Sequence, residues 1–201
     1  MKKWLLPMIM LSGLTLTTSA CSPVDEPDKT ETPTPTPDPD PDNPDPQPGG
    51  NSRAIVVYFS CTNTTKGIAD RIVSVTGSKT YRIEPEVPYT SADLDYNNSS
   101  SRANREQNDP SARPKISGTP EDLSNYDVVF LGYPIWHGKA PKIIFTFLES
   151  QNFAGKTIVP FCTSHSSGIG SSDTDLHRLA TGAEWKQGRR FSGNESVSYT
   201  H

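Results

Sequence analysis

The chain has 201 residues, of which 32% are hydrophobic and 21% charged, and its formal net charge is −4. The charge is uneven: residues 21–50 hold eight acidic side chains against one lysine, whereas residues 51–201 hold sixteen basic against fifteen acidic side chains. This nearly neutral remainder lacks the basic surface of a nucleic-acid-binding protein, and its length of about 150 residues suffices for one domain with a hydrophobic core.

The first twenty residues have the pattern of a secretory signal. Two lysines precede an apolar run that ends near Leu16, which is too short for a stable membrane span, and small residues follow it. Cys21 follows Ser19-Ala20 and resembles the lipidated cysteine of bacterial lipoproteins, although Thr18 stands where leucine is usual. We expect a lipoprotein signal peptide over residues 1–20 and a lipid on Cys21, with a plain signal peptide cleaved nearby as the alternative.

A segment of different composition follows the signal. Residues 22–50 contain ten prolines and no aromatic residue. Such a segment cannot bury a hydrophobic core and is typical of extended linkers. We therefore expect a disordered tether over residues 21–52 and one folded domain over residues 53–201.

Apolar runs and amphipathic segments alternate through the predicted domain. Short continuous apolar runs indicate strands buried on both faces, and the alternation with helices predicts a parallel sheet covered on both sides. The predicted strands are residues 54–59, 79–84, 127–133, 156–162 and 184–191, and the predicted helices are residues 64–75, a segment that starts at Pro141, and residues 173–179. Ligands of such sheets bind beyond the carboxyl ends of the strands, which singles out three loops: the first loop (residues 60–65), the second loop (133–140) and the third loop (163–172).

The first loop has the composition of a phosphate site. A strand that feeds the start of a helix directs unpaired backbone N–H groups at the turn, and the helix dipole favours an anion there. Hydroxyl groups and one amide add to these donors, at Ser60, Thr62, Asn63, Thr64 and Thr65. The loop matches neither the Walker pattern nor G-x-G-x-x-G. Ordinary turn and helix-capping roles are the alternative.

The second and third loops differ in character. The second loop, with Pro134, Ile135, Trp136, His137 and Gly138, offers a flat aromatic surface on which a planar ring could stack, unless the tryptophan folds back over the sheet edge. The third loop consists mostly of small residues whose backbone can approach a ligand closely, and a flexible surface loop is its alternative.

Together the three loops resemble those of the flavodoxin family. The spacing Ser60-x-Thr62-x-x-Thr65 is similar to the T/S-x-T-G-x-T phosphate loop of flavodoxins, with Asn63 in place of glycine, and residues 132–150 and 155–175 resemble exported flavodoxin-like proteins of anaerobic bacteria. The resemblance implies a doubly wound five-stranded parallel sheet of order 2-1-3-4-5. It implies FMN as the cofactor, and no metal.

The resemblance also implies which residues hold FMN. Its phosphate would lie on the five residues of the first loop named above, and its isoalloxazine between the two other loops. The residues expected there are Pro134, Ile135, Trp136, His137, Gly138, Thr163, Ser164, His165 and Gly168. His137 and His165 replace residues that are usual in the family, and each is either near the flavin or a solvated loop residue.

The implied strand order leads to one further expectation, and two departures from the family pattern lead to two more. Cys61 and Cys162 end strands that are separated by a third, so they are two strand spacings apart, roughly 9 to 10 Å, and should be free thiols near the flavin. Residues 86–125 form a long polar connection that we expect to be a mobile flap, over the flavin or toward a partner. The chain stops at His201 where the family has its last helix, which would leave one sheet face partly bare.

The function expected on these grounds is that of an FMN-binding electron carrier anchored to the cell envelope by its lipid. Its partner would be a redox protein or a small-molecule electron acceptor, with no nucleic acid and no membrane contact beyond the lipid. An FMN-dependent NAD(P)H:quinone-type reductase is the alternative in the enzyme class. A degenerate interaction module without flavin is the second alternative, favoured by Asn63 and by the missing last helix.

Overall fold

The computed structural model describes residues 53–192. In chain order these residues form β1 (Ala54–Tyr58), α1 (Thr64–Thr76), β2 (Lys79–Arg82), α2 (Arg102–Asn108), β3 (Val128–Pro134), α3 (Lys142–Glu149), β4 (Thr157–Thr163), α4 (Thr174–His177), β5 (Glu184–Trp185) and β6 (Arg189–Phe191). The expectations for the signal peptide, Cys21, the tether and the last helix concern residues outside this range. No helix between residues 53 and 192 has both the length and the apolar character needed to span a bilayer.

The strands form one parallel sheet in the order β2-β1-β3-β4-β5, as predicted. Pairing runs in register along the central strands, with Tyr58 beside Gly132 and Gly132 beside Phe161. β1 and β4 have buried side chains on both faces, such as Ile55 and Val56 of β1, whereas β3 has a buried face that includes Leu131 and an opposite face that is partly buried. Because most of their side chains are shielded from water, these three strands are short, uninterrupted apolar runs.

The last predicted strand, residues 184–191, is divided in two. Its first part pairs with Thr157 and Ile158 and its second part with the end of β4. The carbonyl oxygen of Ile158 accepts a hydrogen bond from the N–H of Lys186, at 2.8 Å, so the next position of β4 that faces this strand is Pro160. Because proline has no N–H to donate, the ladder is interrupted at that position.

The long connection between β2 and β3 is folded, which corrects the expectation of a mobile flap. An antiparallel bridge between Pro85 and Ile116 closes its base. Within it, Ser101 caps α2, and the side-chain N–H group of Asn104 donates to the carbonyl oxygens of Asp95, Tyr96 and Asn98 at 2.8 to 3.4 Å. The polar residues that suggested mobility therefore satisfy the backbone groups of their own segment.

Candidate functional site

The first loop opens a helix that no side chain caps. Asn63 precedes α1 in the left-handed conformation, with φ of 63°, and makes no capping hydrogen bond. Asparagine tolerates this conformation better than most residues. The Ser60 hydroxyl is buried and has no hydrogen-bond partner among residues 53–192. The helix start thus keeps both a dipole and donors available for an anion.

The threonines of the first loop have two different roles. The Thr62 and Thr64 hydroxyl oxygens lie 3.2 Å apart, and both side chains face solvent. Thr65 is instead buried, and its hydroxyl shares a hydrogen bond of 2.7 Å with the hydroxyl of Thr163 at the end of β4. Thr65 therefore ties the first loop to the third, a role that its spacing in the sequence did not indicate.

Arg82, at the end of β2, also holds the first loop. Its Nη2 donates to the carbonyl oxygen of Ser60 at 2.8 Å, and its Nε lies 2.9 Å from a carboxylate oxygen of Glu84. No sequence pattern indicates this contact, because β2 precedes the long polar connection and its arginine has no motif around it. The guanidinium adds positive charge beneath the loop.

The second loop is a tight hairpin beyond the end of β3. Trp136 and Lys139 exchange backbone hydrogen bonds of 2.9 Å, and the two residues between them, His137 and Gly138, have positive φ angles of 48° and 76°. Two left-handed residues are the geometry of a two-residue hairpin turn, and glycine accepts it readily. The N–H of Ile135 donates to the carbonyl oxygen of Thr163, which joins the second loop to the third.

The Trp136 ring is half-buried in an aromatic cluster. Its centroid lies 5.5 Å from that of Phe59 and 5.2 Å from that of Tyr89, both in edge-to-face geometry. The ring of Tyr96 stacks on that of His137 with centroids 4.4 Å apart. The tryptophan ring is therefore neither fully exposed for stacking nor fully buried over the sheet edge. Part of the ring packs on the domain, and part of it lines a cleft.

Residues of the long connection hold the second loop in place. The buried Gln107 donates from Nε2 to the carbonyl oxygens of Trp136 and Ala140, at 2.8 and 3.3 Å. Tyr89 donates to a carboxylate oxygen of Glu106 at 2.5 Å, and burial together with this carboxylate raises the pKa of Tyr89. These residues were missed by sequence reasoning, since only their contacts across the fold reveal their role.

The third loop is held by hydrogen bonds within itself and by side chains of β3 and β6. The Ser164 hydroxyl accepts from the N–H of Ser167 at 3.0 Å, and Ser172 bonds to the hydroxyl of Tyr133 at 3.2 Å. From β6, Arg190 donates to the carbonyl oxygens of Ser164 and His165. The His165 side chain and Gly168 are exposed.

The three loops enclose an open cleft of about 340 Å³ at the carboxyl edge of the sheet. Most of its lining consists of residues singled out from the sequence, which are Thr62, Thr64, Pro134, Ile135, Trp136, Thr163, Ser164 and His165, and Ser192 completes it. Ser60, Asn63, Thr65, His137, Gly138 and Gly168 are not among its lining residues. A cleft with an apolar aromatic wall on one side and hydroxyls beside a helix start suits a planar ring that carries an anionic group.

Two thiols lie beside this edge, and both are free, as predicted. Cys61 and Cys162 extend from β1 and β4, and β3 separates these strands. Burial raises the pKa of Cys61 to about 11 and that of Cys162 to about 12. Both groups are therefore protonated near neutral pH, and neither has the lowered pKa of a reactive cysteine.

The comparisons with known proteins agree with the fold. A family model described as Flavodoxin matches residues 53–200. No functionally curated protein matches the chain.

Solved structures with the same fold include two from Bacteroides. A candidate flavoprotein from Bacteroides eggerthii DSM 20697 is 47% identical, covers 73% of this chain and 91% of its own, and has a TM-score of 0.69. A candidate flavoprotein from Bacteroides uniformis ATCC 8492 is 40% identical over 69% of this chain and 89% of its own, with a TM-score of 0.67. A flavoprotein from Lactobacillus acidophilus NCFM, solved in complex with FMN, is 22% identical over 69% of this chain and 93% of its own, with a TM-score of 0.56.

Proposed function

Since this chain belongs to the flavodoxin family, we propose that it binds FMN in the cleft between the three loops and transfers electrons at the cell envelope. The observation that carries the proposal is the first loop, where the uncapped start of α1 lies beside a cleft lined by the hydroxyls of Thr62 and Thr64. Unpaired N–H groups at a helix start and nearby hydroxyls are donors that a bound phosphate would accept from.

The phosphate of FMN fits the first loop. α1 has thirteen residues, so its dipole is well developed, and no acidic side chain occupies its first turn. Thr62 and Thr64 would donate their hydroxyls to phosphate oxygens, while Thr65 and Arg82 keep the loop in position through Thr163 and the Ser60 carbonyl. Hydrogen bonds to a charged acceptor are stronger than those between neutral groups.

The ring system fits between the second and third loops. Ile135 and Trp136 supply an apolar wall, and Thr163, Ser164 and His165 supply a polar one. Bound FMN provides the one-electron and two-electron chemistry, and this chain's residues orient the ring and keep water from it. The two candidate flavoproteins of Bacteroides, at 47% and 40% identity, support the assignment, as does the relative solved with FMN.

We extend the proposal to location and partners from the sequence alone. A signal peptide over residues 1–20, a lipid on Cys21 and a tether over residues 21–52 would hold the flavin domain, residues 53–201, at the cell envelope. Its partner would be a redox protein or a small-molecule electron acceptor. Replacing Cys21 by Ala should move the protein from the membrane fraction to the soluble fraction, and unchanged fractionation would contradict the lipid anchor.

Titration with FMN tests the binding proposal. The full chain should quench flavin fluorescence with saturable binding, and replacing Thr62 and Thr64 together by Val should weaken affinity by about tenfold or more, since hydrogen bonds to charged groups contribute roughly 1.5–3 kcal/mol each. Thr76→Val is the matched control, because Thr76 lies at the other end of α1. No binding, or equal affinity in all three proteins, would refute the assignment.

A second measurement separates the carrier from an enzyme. A carrier accepts electrons from an external reductant but does not sustain NAD(P)H oxidation by itself. Continuous NAD(P)H oxidation in the presence of a quinone would instead identify a reductase on the same cofactor site.

A further inference from the structure

A second, smaller cavity adjoins the cleft proposed for FMN, the flavin cleft. It has a volume of about 60 Å³ and lies between the second loop and the long connection. It shares Ile135 and Trp136 with the flavin cleft. His137, which is not among the residues that line the flavin cleft, lines this cavity instead. Its other lining residues are Leu94, Tyr96 and Ala103.

The size and the lining restrict what the cavity holds. One water molecule needs about 10–15 Å³, so a volume of about 60 Å³ leaves room for roughly one six-membered ring and excludes a nucleotide. No aspartate, glutamate, lysine or arginine lines the cavity, and a charge buried there without a partner would be costly. Three of the six lining side chains are aromatic and prefer the face or edge of another aromatic ring. The lining therefore fits one neutral aromatic ring.

Two polar groups at the cavity lack a hydrogen-bond partner. Neither the hydroxyl of Tyr96 nor a ring nitrogen of His137 forms a hydrogen bond within residues 53–192. The two rings stack almost in parallel, with an angle of 7° and centroids 4.4 Å apart, so both polar groups belong to one side of the cavity. A ligand with a carbonyl or hydroxyl oxygen would supply a partner for them.

Tyr96 and His137 both stand where local preferences favour other residues. His137 occupies the first position of the hairpin turn with φ of 48°, where asparagine, aspartate or glycine is usual and a larger residue costs free energy. Tyr96 is 69% exposed and is the most exposed large hydrophobic residue among residues 53–192. Exceptions to local rules concentrate at functional sites.

The backbone on both sides of the cavity is fixed without a ligand. Gln107 donates to the carbonyl oxygen of Trp136, and Asn104 donates to the carbonyl oxygen of Tyr96 at 3.3 Å. The exposed Tyr96 ring is therefore attached to an ordered segment. It can turn over a bound ring while the rest of the cavity keeps its shape, which lowers the ordering cost of binding.

We propose that this cavity binds a neutral single-ring aromatic molecule that carries a carbonyl or hydroxyl oxygen. The ring packs against Trp136 and Tyr96, and its oxygen bonds to the Tyr96 hydroxyl or the His137 imidazole. Binding itself does not require FMN. The further role of this ligand as the small-molecule electron acceptor rests on the proposed function, because the cavity shares Ile135 and Trp136 with the flavin cleft.

An NMR titration of the full chain tests the binding. Benzamide is the aromatic probe, and cyclohexanecarboxamide is its non-aromatic match with the same polar group. Benzamide should shift the backbone N–H signals of Tyr96, Ala103 and His137 in a saturable way, and cyclohexanecarboxamide should bind at least about fivefold more weakly. Equal binding of the two probes, or no benzamide shift at these residues, would overturn the inference.

Two variants separate a ligand site from a merely structural stack. His137→Asn keeps a residue that the turn favours, so it should melt at or above the wild-type temperature yet bind benzamide roughly two- to tenfold more weakly. Tyr96→Ala, at an exposed position, should weaken binding to a similar extent and keeps the test valid if His137→Asn folds poorly. Val75→Ala, an exposed position near the end of α1, is the control and should bind as wild type does. Unchanged affinity in both cavity variants would mean that the stack only holds the loop.

The last arm separates this cavity from the flavin cleft. The Thr62→Val/Thr64→Val variant should bind benzamide as wild type does. In the FMN-loaded chain, benzamide should shift the flavin absorption bands without releasing FMN, and an unchanged spectrum would overturn the acceptor role. Release of FMN, or shifts confined to Thr163 and Ser164, would place benzamide in the flavin cleft and overturn the inference. If FMN does not bind, the proposed function fails, while the shifts at Tyr96 and Ala103 still decide whether the cavity binds its ligand.

Discussion

The second and third loops form opposite walls of one cleft but are held in different ways. Side chains from the long connection hold the second loop in place, through the hydrogen bonds of Gln107 and the packing of Tyr89 on Trp136. The third loop is held by hydrogen bonds within itself and by the side chains of Tyr133 and Arg190, while residues 165–168 are exposed. The wall that carries the aromatic ring is therefore organised before any ligand binds, whereas the other can adapt to it at a larger ordering cost.

The largest expected effect on stability comes from adding a methyl group beneath each of the two loops. Gly132 lies in β3 below the second loop, and a Cβ atom there would be 2.2 Å from the Phe161 ring. Gly188 lies below the third loop, and a Cβ atom there would be 2.3 Å from the Cδ1 tip of Ile169. Overpacking a rigid core typically costs about 1–3 kcal/mol, so Gly132→Ala should lose about 3 kcal/mol.

The same substitution at Gly188 should cost less. The Cδ1 tip of Ile169 can rotate away because the third loop is held less rigidly. We therefore expect Gly188→Ala to lower the free energy of unfolding by about 1 kcal/mol. Urea unfolding of both variants and of wild type measures the two losses. Equal losses would mean that the third loop is as rigid as the second.

The next largest effect is expected from removing the hydrogen bonds that Gln107 donates to the second loop. Gln107→Leu keeps the size of the side chain but removes the hydrogen bonds that Gln107 donates to the carbonyl oxygens of Trp136 and Ala140, so that the Trp136 carbonyl keeps only the N–H of Lys139. This loss costs about 1–3 kcal/mol. Hydrogen exchange at the N–H groups of Trp136 and Lys139 should speed up by roughly tenfold or more, because these two groups close the hairpin.

A matched variant separates this role from general damage. Thr146→Val removes another hydrogen bond between α3 and the long connection, from the Thr146 hydroxyl to the carbonyl oxygen of Pro114. It should destabilise the protein mildly and leave the exchange of Trp136 and Lys139 unchanged. If both variants accelerate that exchange equally, Gln107 has no specific hold on the loop.

The sheet was predictable because its signal is local. Each central strand is a short, largely buried apolar run, and the three loops follow these runs directly in the sequence. The first-loop hydroxyls were identified in this way, whereas the two free thiols were expected from the strand order that the resemblance implies. The implied strand order also proved correct, since it placed β3 between Cys61 and Cys162.

Contacts between distant segments were not predictable from local pattern. Gln107 meets Trp136 across 29 residues, and Thr65 meets Thr163 across 98. No periodicity records such pairs, because each depends on how the whole sheet is assembled. Likewise, the division of the last strand depends on Pro160 of the neighbouring strand, and the polar connection appeared mobile only while the partners of Asn104 were unknown.

The two thiols report on the two sides of the cleft through the stability of the protein at alkaline pH. The charges that act on Cys61 include Arg102 and Glu106 of the long connection, and those that act on Cys162 are Arg190 and Asp173 beside the third loop. Because folding raises both thiol pKa values, to about 11 and about 12, each thiol's contribution to stability is fully present below its unfolded pKa near 9. That contribution is lost as the pH rises through the folded value.

Unfolding curves between pH 8 and 11 check this sign. The free energy of unfolding should fall with pH above about 9, and Cys61→Ala and Cys162→Ala should each make the fall shallower. Alkylation with iodoacetamide at pH 8 should be slow at both sites and slowest at Cys162, which is fully buried. A fast reaction at Cys162 would show that the third-loop side opens readily, which would strengthen the contrast between the walls.

The smallest effect is expected at the support of the third loop. Arg190 is half-buried, and its Nη1 donates to the carbonyl oxygens of Ser164 and His165 at 3.0 and 3.4 Å. Water can replace this donor at the accessible carbonyls, so Arg190→Met should cost less than about 1 kcal/mol. Exchange should rise at the N–H of Ser167 and stay constant at Trp136 and Lys139. A loss as large as that of Gln107→Leu would mean that both walls are organised before binding, and the third loop could then contribute to ligand specificity as much as the second.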